Sequence, residues 1–274
     1  MANILVLASE TIGGAALLEA VKRKAEQGDA RFVVVVPQTR PRHGMVVYDD
    51  AVRDAAQVRV DLTRAFMEEE GIEGTGEVGD PDPFTAAMDA IGHHGIDEVI
   101  VSTRPAATSG WLRRDLPERI QEASGLPVEH VVVDIDKEGL PFDVTLVVAN
   151  QTLATEELVE HLTRKNEEGP RRFIVVAPVD TGGGADLRAG RERLRSLLNS
   201  LRERDIIAAG FIGDPDPFTA VMNALQTFYI SEIVISTLPE SSSKWLQKGL
   251  VDRVQRASGR PVDHVQSASV ESPA

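Results

Sequence analysis

Cysteine is absent from the 274-residue chain. That excludes disulfides, thiolate nucleophiles and zinc sites of the cysteine type. No apolar run approaches the roughly 18 residues needed to cross a bilayer. Positive charge is in short supply, and the net charge of −14 opposes binding to nucleic acid or to an anionic membrane, both of which require a basic footprint. Neither partner is expected. The N-terminal MANILVLASE is a strand-like run without a basic leader, so it does not read as a signal peptide, and a cytoplasmic location is the expectation. Catalytic patterns are also missing. Gly13-Gly14 and the TGGG at Thr181–Gly184 match neither G-x-G-x-x-G nor a Walker A loop, and no H-E-x-x-H motif or Ser-His-Asp ordering occurs. His93-His94 meet Thr227-Phe228 at the corresponding place further along the chain. No enzyme activity, catalytic residue or metal site is therefore expected.

What is present is a repeat. The octapeptide GDPDPFTA occurs at Gly79–Ala86 and again at Gly213–Ala220. In the same register VIVST at Val99–Thr103 returns as IVIST at Ile233–Thr237, Trp111-Leu112 as Trp245-Leu246, and SGLPVEHV at Ser124–Val131 as SGRPVDHV at Ser258–Val265. The chain is a duplicated domain, with two units of roughly 135 residues, near the common domain size. We place them at 1–137 and 141–268, with a frayed tail at 269–274 that begins to loosen at Ser267. The join at Asp136–Pro141 is a short Gly/Pro-containing linker, so the halves are expected to pack as an internal pseudo-dimer. A homodimer through the fifth strand is the alternative assembly.

Each copy alternates strand-like and helix-like segments, which implies βαβ crossovers and a parallel sheet. In the first copy the strands are read at Ile4–Ala8, Phe32–Val36, Glu77–Gly79, Glu98–Ser102 and Val128–Asp134. Helices are read from Gly14 to Lys24, over Asp50–Glu70, over Phe84–Ile91 and over Trp111–Ala123. Val144–Ala149 and Phe173–Pro178 repeat the first two strands. The second copy is shorter between its second strand and the octapeptide, a difference that a loop tolerates.

Five strands at this spacing, a G-x-P turn after the third (GDPDPF) and a loop-helix after the fourth resemble the universal stress protein family over nearly the whole chain. The resemblance implies an α/β fold of two tandem Rossmann-like domains, of the adenine nucleotide alpha hydrolase-like kind. Each would be a five-stranded parallel sheet in the order 3-2-1-4-5 with helices on both faces. It implies a non-catalytic, stress-associated protein holding ATP or AMP, or another small molecule, in the cleft between strands one and four. An interaction module without a ligand is the alternative, and a nucleotide hydrolase comes last. The residues so implied are Ser9, Thr11, Pro37, Gly79, Asp80, Ser102, Thr103, Ser109, Trp111 and Arg113 in the first copy. Their counterparts in the second are Asn150, Thr152, Pro178, Gly213, Asp214, Ser236, Thr237, Ser243 and Trp245.

Two family signatures are replaced. The first strand ends Ala8-Ser9-Glu10 or Ala149-Asn150-Gln151 instead of in aspartate. The glycine-rich phosphate loop after strand four becomes S-T-x-P to W-L in both copies, and proline removes a backbone donor there. Arg104, Arg113, Arg114, Lys244 and Lys248, with the hydroxyls of Ser109, Ser242 and Ser243, are the side-chain substitutes for that cradle, or else a solvated helix face. Asp82-Pro83 and Asp216-Pro217 fit a helix start, while Asp80 and Asp214 remain acceptors for a ribose. The two tryptophans either staple the loop and fill an interface or wall a pocket. His130 and His264 recur within strand five, where a half-buried histidine is commonplace.

Overall fold

Strand and helix alternate from one end of the chain to the other. The computed structural model describes residues 1–38, 49–105, 115–153, 155–179, 184–239, 243–247 and 249–267. They fall into two units, Met1–Pro141 and Phe142–Ala274. The first contains β1 (Ala2–Leu7), α1 (Ala15–Glu26), β2 (Ala30–Pro37), α2 (Asp49–Glu69), β3 (Gly74–Gly79), α3 (Pro83–His94), β4 (Glu98–Thr103), α4 (Leu116–Ser124), β5 (Val128–Val132) and α5 (Ile135–Glu138). The second contains β6 (Asp143–Val148), α6 (Glu156–Glu167), β7 (Arg171–Pro178), α7 (Gly184–Arg202), β8 (Ala208–Gly213), α8 (Pro217–Thr227), β9 (Glu232–Thr237), α9 (Lys244–Gln247), α10 (Leu250–Ser258) and β10 (Val262–Gln266).

Each unit is one five-stranded sheet, in the order β3-β2-β1-β4-β5 and its equivalent β8-β7-β6-β9-β10. Every strand pairing is parallel. Both faces are covered, as the continuous apolar strands require. Along β1, Ile4 and Val6 face Leu17 and Val21 of α1 and Val60 and Met67 of α2. Leu5 and Leu7 face Ala86 and Ala90 of α3 and Ile120 of α4. In the second unit Val147 and Ala149 pack with Leu158 and Leu162 of α6 and Leu194 and Leu197 of α7, and α8 covers the other face with α10 against it.

The amino ends of the sheets carry a repeated ion cluster. Lys24 meets Glu98 and Glu129, and the matching Lys165 lies 2.9 Å from Glu232 and 2.8 Å from Asp263. Burial works against the Lys165 charge, but hydrogen bonds to Asp263 and Glu232 hold its pKa above the usual value.

Three local readings are corrected. The fourth helix starts at Leu116, because Asp115 and its counterpart Gly249 both take left-handed backbone, at φ 46° and φ 60°, a conformation that cannot continue a right-handed helix; the part of that reading over 111–114 lies outside the described residues. In the second unit the segment is therefore split into α9 and α10. The join contains the single turn α5, ended by Gly139 at φ 69°. Ser267, assigned to the tail, is 1% exposed, and its amide bonds to the Thr237 carbonyl.

Candidate functional site

The order of each sheet reverses beside its first strand. Strand one leads outward to strand two on one side and pairs with strand four on the other, so their two exit loops diverge at the carboxyl edge. Open α/β sheets hold ligands at such a switch point. The first unit gathers Ser9, Thr11, Ser102 and Thr103 there, all nearly buried. Thr11 Oγ1 donates to the Ser102 carbonyl at 3.4 Å, and Thr152 Oγ1 to the Ser236 carbonyl at 3.2 Å. In both units this one hydroxyl ties the first exit loop to strand four.

Thr103 points the opposite way from Ser102, as successive strand residues do. Its hydroxyl lies 2.8 Å from His130 Nε2, and Thr237 meets His264 at the same distance. The recurring histidines thus latch strand five to strand four. Burial lowers the His264 pKa.

The two units differ in how they satisfy the Ser102 position. Ser236 Oγ lies 3.4 Å from Ser267 Oγ, Ser267 Oγ is 2.9 Å from Thr155 Oγ1, and Thr155 Oγ1 is 2.9 Å from the Thr152 carbonyl. Thr155 Oγ1 shares its one proton between Ser267 Oγ and the Thr152 carbonyl, and in the Ser236–Ser267 pair either hydroxyl can donate. The first unit has Gly14 where the second has Thr155, and Val133 where it has Ser267. A Cβ on Gly14 would sit 2.2 Å from Val133 Cγ1. Ser102 Oγ, at the position equivalent to Ser236, is buried with no hydrogen-bond partner, an arrangement that costs about 1–3 kcal/mol.

Charges ring the same end. Arg104 of the first unit pairs with Glu10 at 3.3 Å and with Asp136 of α5. Its guanidinium is thus engaged by carboxylates, which modifies the expectation that it stands ready for phosphate. Arg59 lies on α2. Enclosure lowers its pKa to about 10, with the Glu10 charge opposing the shift. In the second unit Arg193 of α7 binds the Asn150 carbonyl at 3.0 Å and its Oδ1 at 2.6 Å. Asn150 Nδ2 donates to the Pro178 carbonyl at 2.7 Å. Arg59 and Arg193 escaped the sequence reading, although both fall at the same place once the repeats are aligned on the octapeptide.

The octapeptide proves to be a strand-to-helix corner in which most residues have a mechanical task. Gly79 allows α3 to close on β3, since a Cβ there would meet Val35 Cγ1 at 2.7 Å and Ala86 Cβ at 2.8 Å. Asp80 Oδ1 accepts from the Asp82 amide at 2.8 Å. Asp82 caps the helix through the Thr85 amide and hydroxyl, both at 3.0 Å, with Pro83 starting it. Phe84 lies under the Arg119 guanidinium at 4.4 Å. Gly213, Asp214, Asp216, Thr219 and the Phe218–Arg253 pair repeat the arrangement.

Pro37 and Pro178 end the strands next to the first and pair with Gly79 and Gly213. Asp80 and Asp214 follow the edge strand, two positions from strand one, which is roughly 10 Å at ordinary strand spacing. The structure therefore brings Thr11 to Ser102 beside the buried Ser9, turns Thr103 to His130, and places Asp80 outside that group. Ser243 is buried and caps α9 by accepting from the Leu246 amide at 3.3 Å, and Trp245 on that turn is half-buried. Ser109, Trp111 and Arg113 lie outside the described residues, as do Arg114, Ser242 and Lys248. Among the described residues no group of three or more His, Asp or Glu side chains could hold a metal, and no helix is long and apolar enough to cross a membrane.

No protein-family model and no curated protein matches the chain. Among solved structures it is similar to a universal stress protein from Archaeoglobus fulgidus, at 17% identity over 96% of each chain with a TM-score of 0.36. It is also similar to a universal stress protein family protein from Arabidopsis thaliana with AMP bound, at 13% identity over 50% of this chain and 95% of that one, with a TM-score of 0.34.

Proposed function

We propose that the chain is a non-catalytic, stress-associated cytoplasmic protein of universal stress protein type, which binds a small molecule at the carboxyl edge of strands one and four. Nucleotide is the ligand class implied by the resemblance in the sequence. The observation that carries this reading is the switch point of the first unit, where Ser9, Thr11 and Ser102 are buried at the ends of strands one and four and Ser102 Oγ is left without a partner. A buried hydroxyl in that state is an exception calling for a function or a bound group. The hydroxyl–histidine pair beside it, Thr103 with His130, joins strand four to strand five, and binding without turnover is the reading we take. Calorimetric titration of the purified chain with ATP, AMP and adenosine tests the reading. Heat of binding with intact nucleotide recovered afterwards is expected. Flat traces for all three on a folded sample would defeat it.

A second reading has its own support in the second unit. There Ser236, Thr155 and Ser267 satisfy one another, and Asn150 is held by Arg193 and Pro178. A switch point saturated in this way suits an interaction module better than a ligand site. The stoichiometry of the same titration separates the two readings. One site per chain assigns binding to the first unit and leaves the second as scaffold.

A further inference from the structure

We propose that the outward face of α7 docks a second copy of this chain, and that the face it receives is α2 of that copy. The two helices hold the same place in their units, each between the second and third strands. Their charges are opposite. Over Gly184–Arg202, α7 carries five arginines against two acids. Over Asp49–Glu69, α2 carries six acids against three arginines. In a chain of net charge −14, α7 is a basic island.

The difference is concentrated in one stripe. Arg188, Arg191, Arg195 and Arg202 are exposed, and at about 100° per residue they fall within about 60° of the helix circumference. Gly190, Leu194, Leu197 and Leu201 occupy the buried side. Aligned on the octapeptide, the same four positions of α2 are Asp54, Gln57, Asp61 and Glu68, with Gln57 and Glu68 exposed and the aspartates half-buried. Gln57 Nε2 donates to Asp61 Oδ1 at 2.9 Å. Arg188, Arg191 and Arg195 enter no ion pair among the described residues, and Arg202 lies 3.4 Å from the Asn199 amide oxygen. Glu192 borders the basic stripe on one side. Half-buried Leu187 and Leu198 border it on the other, where α2 carries Arg53 and Arg64. The acidic stripe itself contains no base.

The partner is a second copy because the ladder that matches these arginines in sign and spacing is carried by the chain itself. Positions 54, 61 and 68 repeat the interval of 188, 195 and 202, a step of about 10 Å along each helix. Three acid–arginine pairs therefore form in one register, whether the helices run parallel or antiparallel. Two α2 faces, or two α7 faces, would set like charges together. The complementary contact joins unlike faces of different copies. Exposed ion pairs contribute little each and are screened by salt, so the association is weak and belongs to low ionic strength.

The test is sedimentation velocity of the full chain at about 0.01 M and about 1 M salt, where screening lengths are about 30 Å and about 3 Å. Parent, Arg188→Glu/Arg195→Glu/Arg202→Glu and Asp54→Arg/Asp61→Arg/Glu68→Arg proteins are compared, each checked by circular dichroism. The parent should form a larger species at low salt, with an association at least tenfold weaker at high salt. Each variant alone sets like charges against one another and should sediment alike at both salts. An equimolar mixture of the two restores opposite signs and should associate again at low salt. The α7 variant changes only exposed side chains, so it remains readable if the α2 variant fails to fold. A parent indifferent to salt overturns the proposal, as does an α7 variant that associates like the parent, or a mixture of folded variants that does not associate. Arginine-dependent retention on heparin by a parent indifferent to salt in sedimentation would also overturn it, and would assign the stripe to a polyanionic partner.

Discussion

Replacing Gly14 by Thr and Val133 by Ser transplants the hydroxyl relay of the second unit into the first, and the double change should be far milder than its parts. Gly14 sits at φ −66°, ψ 140°, and Thr155 at φ −84°, ψ 145°, so the backbone already accepts threonine. The obstacle is one methyl group, since the new Cβ would lie 2.2 Å from Val133 Cγ1. Overpacking of that kind costs about 1–3 kcal/mol, and the upper end applies because Val133 is 1% exposed and cannot swing into solvent. Val133→Ser alone forfeits about 1.5 kcal/mol of apolar burial and recovers about 1 kcal/mol by giving Ser102 Oγ a partner. Together the changes remove the clash and complete the relay. The double variant should therefore lie within about 1 kcal/mol of the parent, a coupling of roughly 2 kcal/mol. Urea unfolding followed by Trp111 fluorescence in a Trp245→Phe background reads the first unit. Additive losses, with coupling below about 0.5 kcal/mol, would refute the view that Gly14 and Val133 are a matched pair.

Further expectations concern backbone, packing and charge. Asp115→Gly should stabilise the first unit by about 1 kcal/mol, because Asp115 holds a left-handed conformation at φ 46° that glycine adopts without penalty. An unchanged or lower urea midpoint would contradict this. Gly79→Ala should destabilise by about 1–3 kcal/mol, since its Cβ would meet Val35 and Ala86 below 3 Å. A neutral result would return the octapeptide glycine to some other role. Stability should fall as pH drops below about 6.5, the unperturbed histidine value. Burial, opposed by Asp263 and reinforced by Lys165, lowers the His161 pKa, and burial lowers that of His264. Both then bind protons more readily when unfolded, so their stabilisation is complete above that pH and is lost as the medium acidifies. Urea midpoints at pH 7.5 and pH 5 should differ less in a His161→Asn/His264→Asn chain, and an unaltered difference would sink the assignment.

Much of the architecture was legible before any coordinates. Apolar runs such as Leu5–Leu7 and Val33–Val36 can only be strands covered on both faces, and the doubled octapeptide fixed the number of units. The errors fell where a single dihedral decides the outcome. Trp111–Ala123 has a helical pattern, but one left-handed residue at position 115 interrupts it, and Asp at that site signals either a cap or a turn. The first copy's polar site was half visible. Ser9, Thr11 and Ser102 could be placed at the switch point from strand ends. Arg59 could not, because an arginine in an amphipathic helix looks like any solvated charge until its enclosure in the fold is seen.

The sequence by itself determined the duplication, the alternation of strand and helix, and the absence of cysteine chemistry, because composition and local periodicity are properties of neighbouring residues. The tertiary structure alone decided which polar groups meet. Thr11 and the Ser102 carbonyl are 91 residues apart, and Thr155 and Ser267 are 112 apart. Only the reversal of strand order beside β1 and β6 closes those distances. The same reversal leaves one serine satisfied in the second unit and its counterpart in the first without a partner, since that outcome turns on a valine or a serine arriving from the far end of the fold.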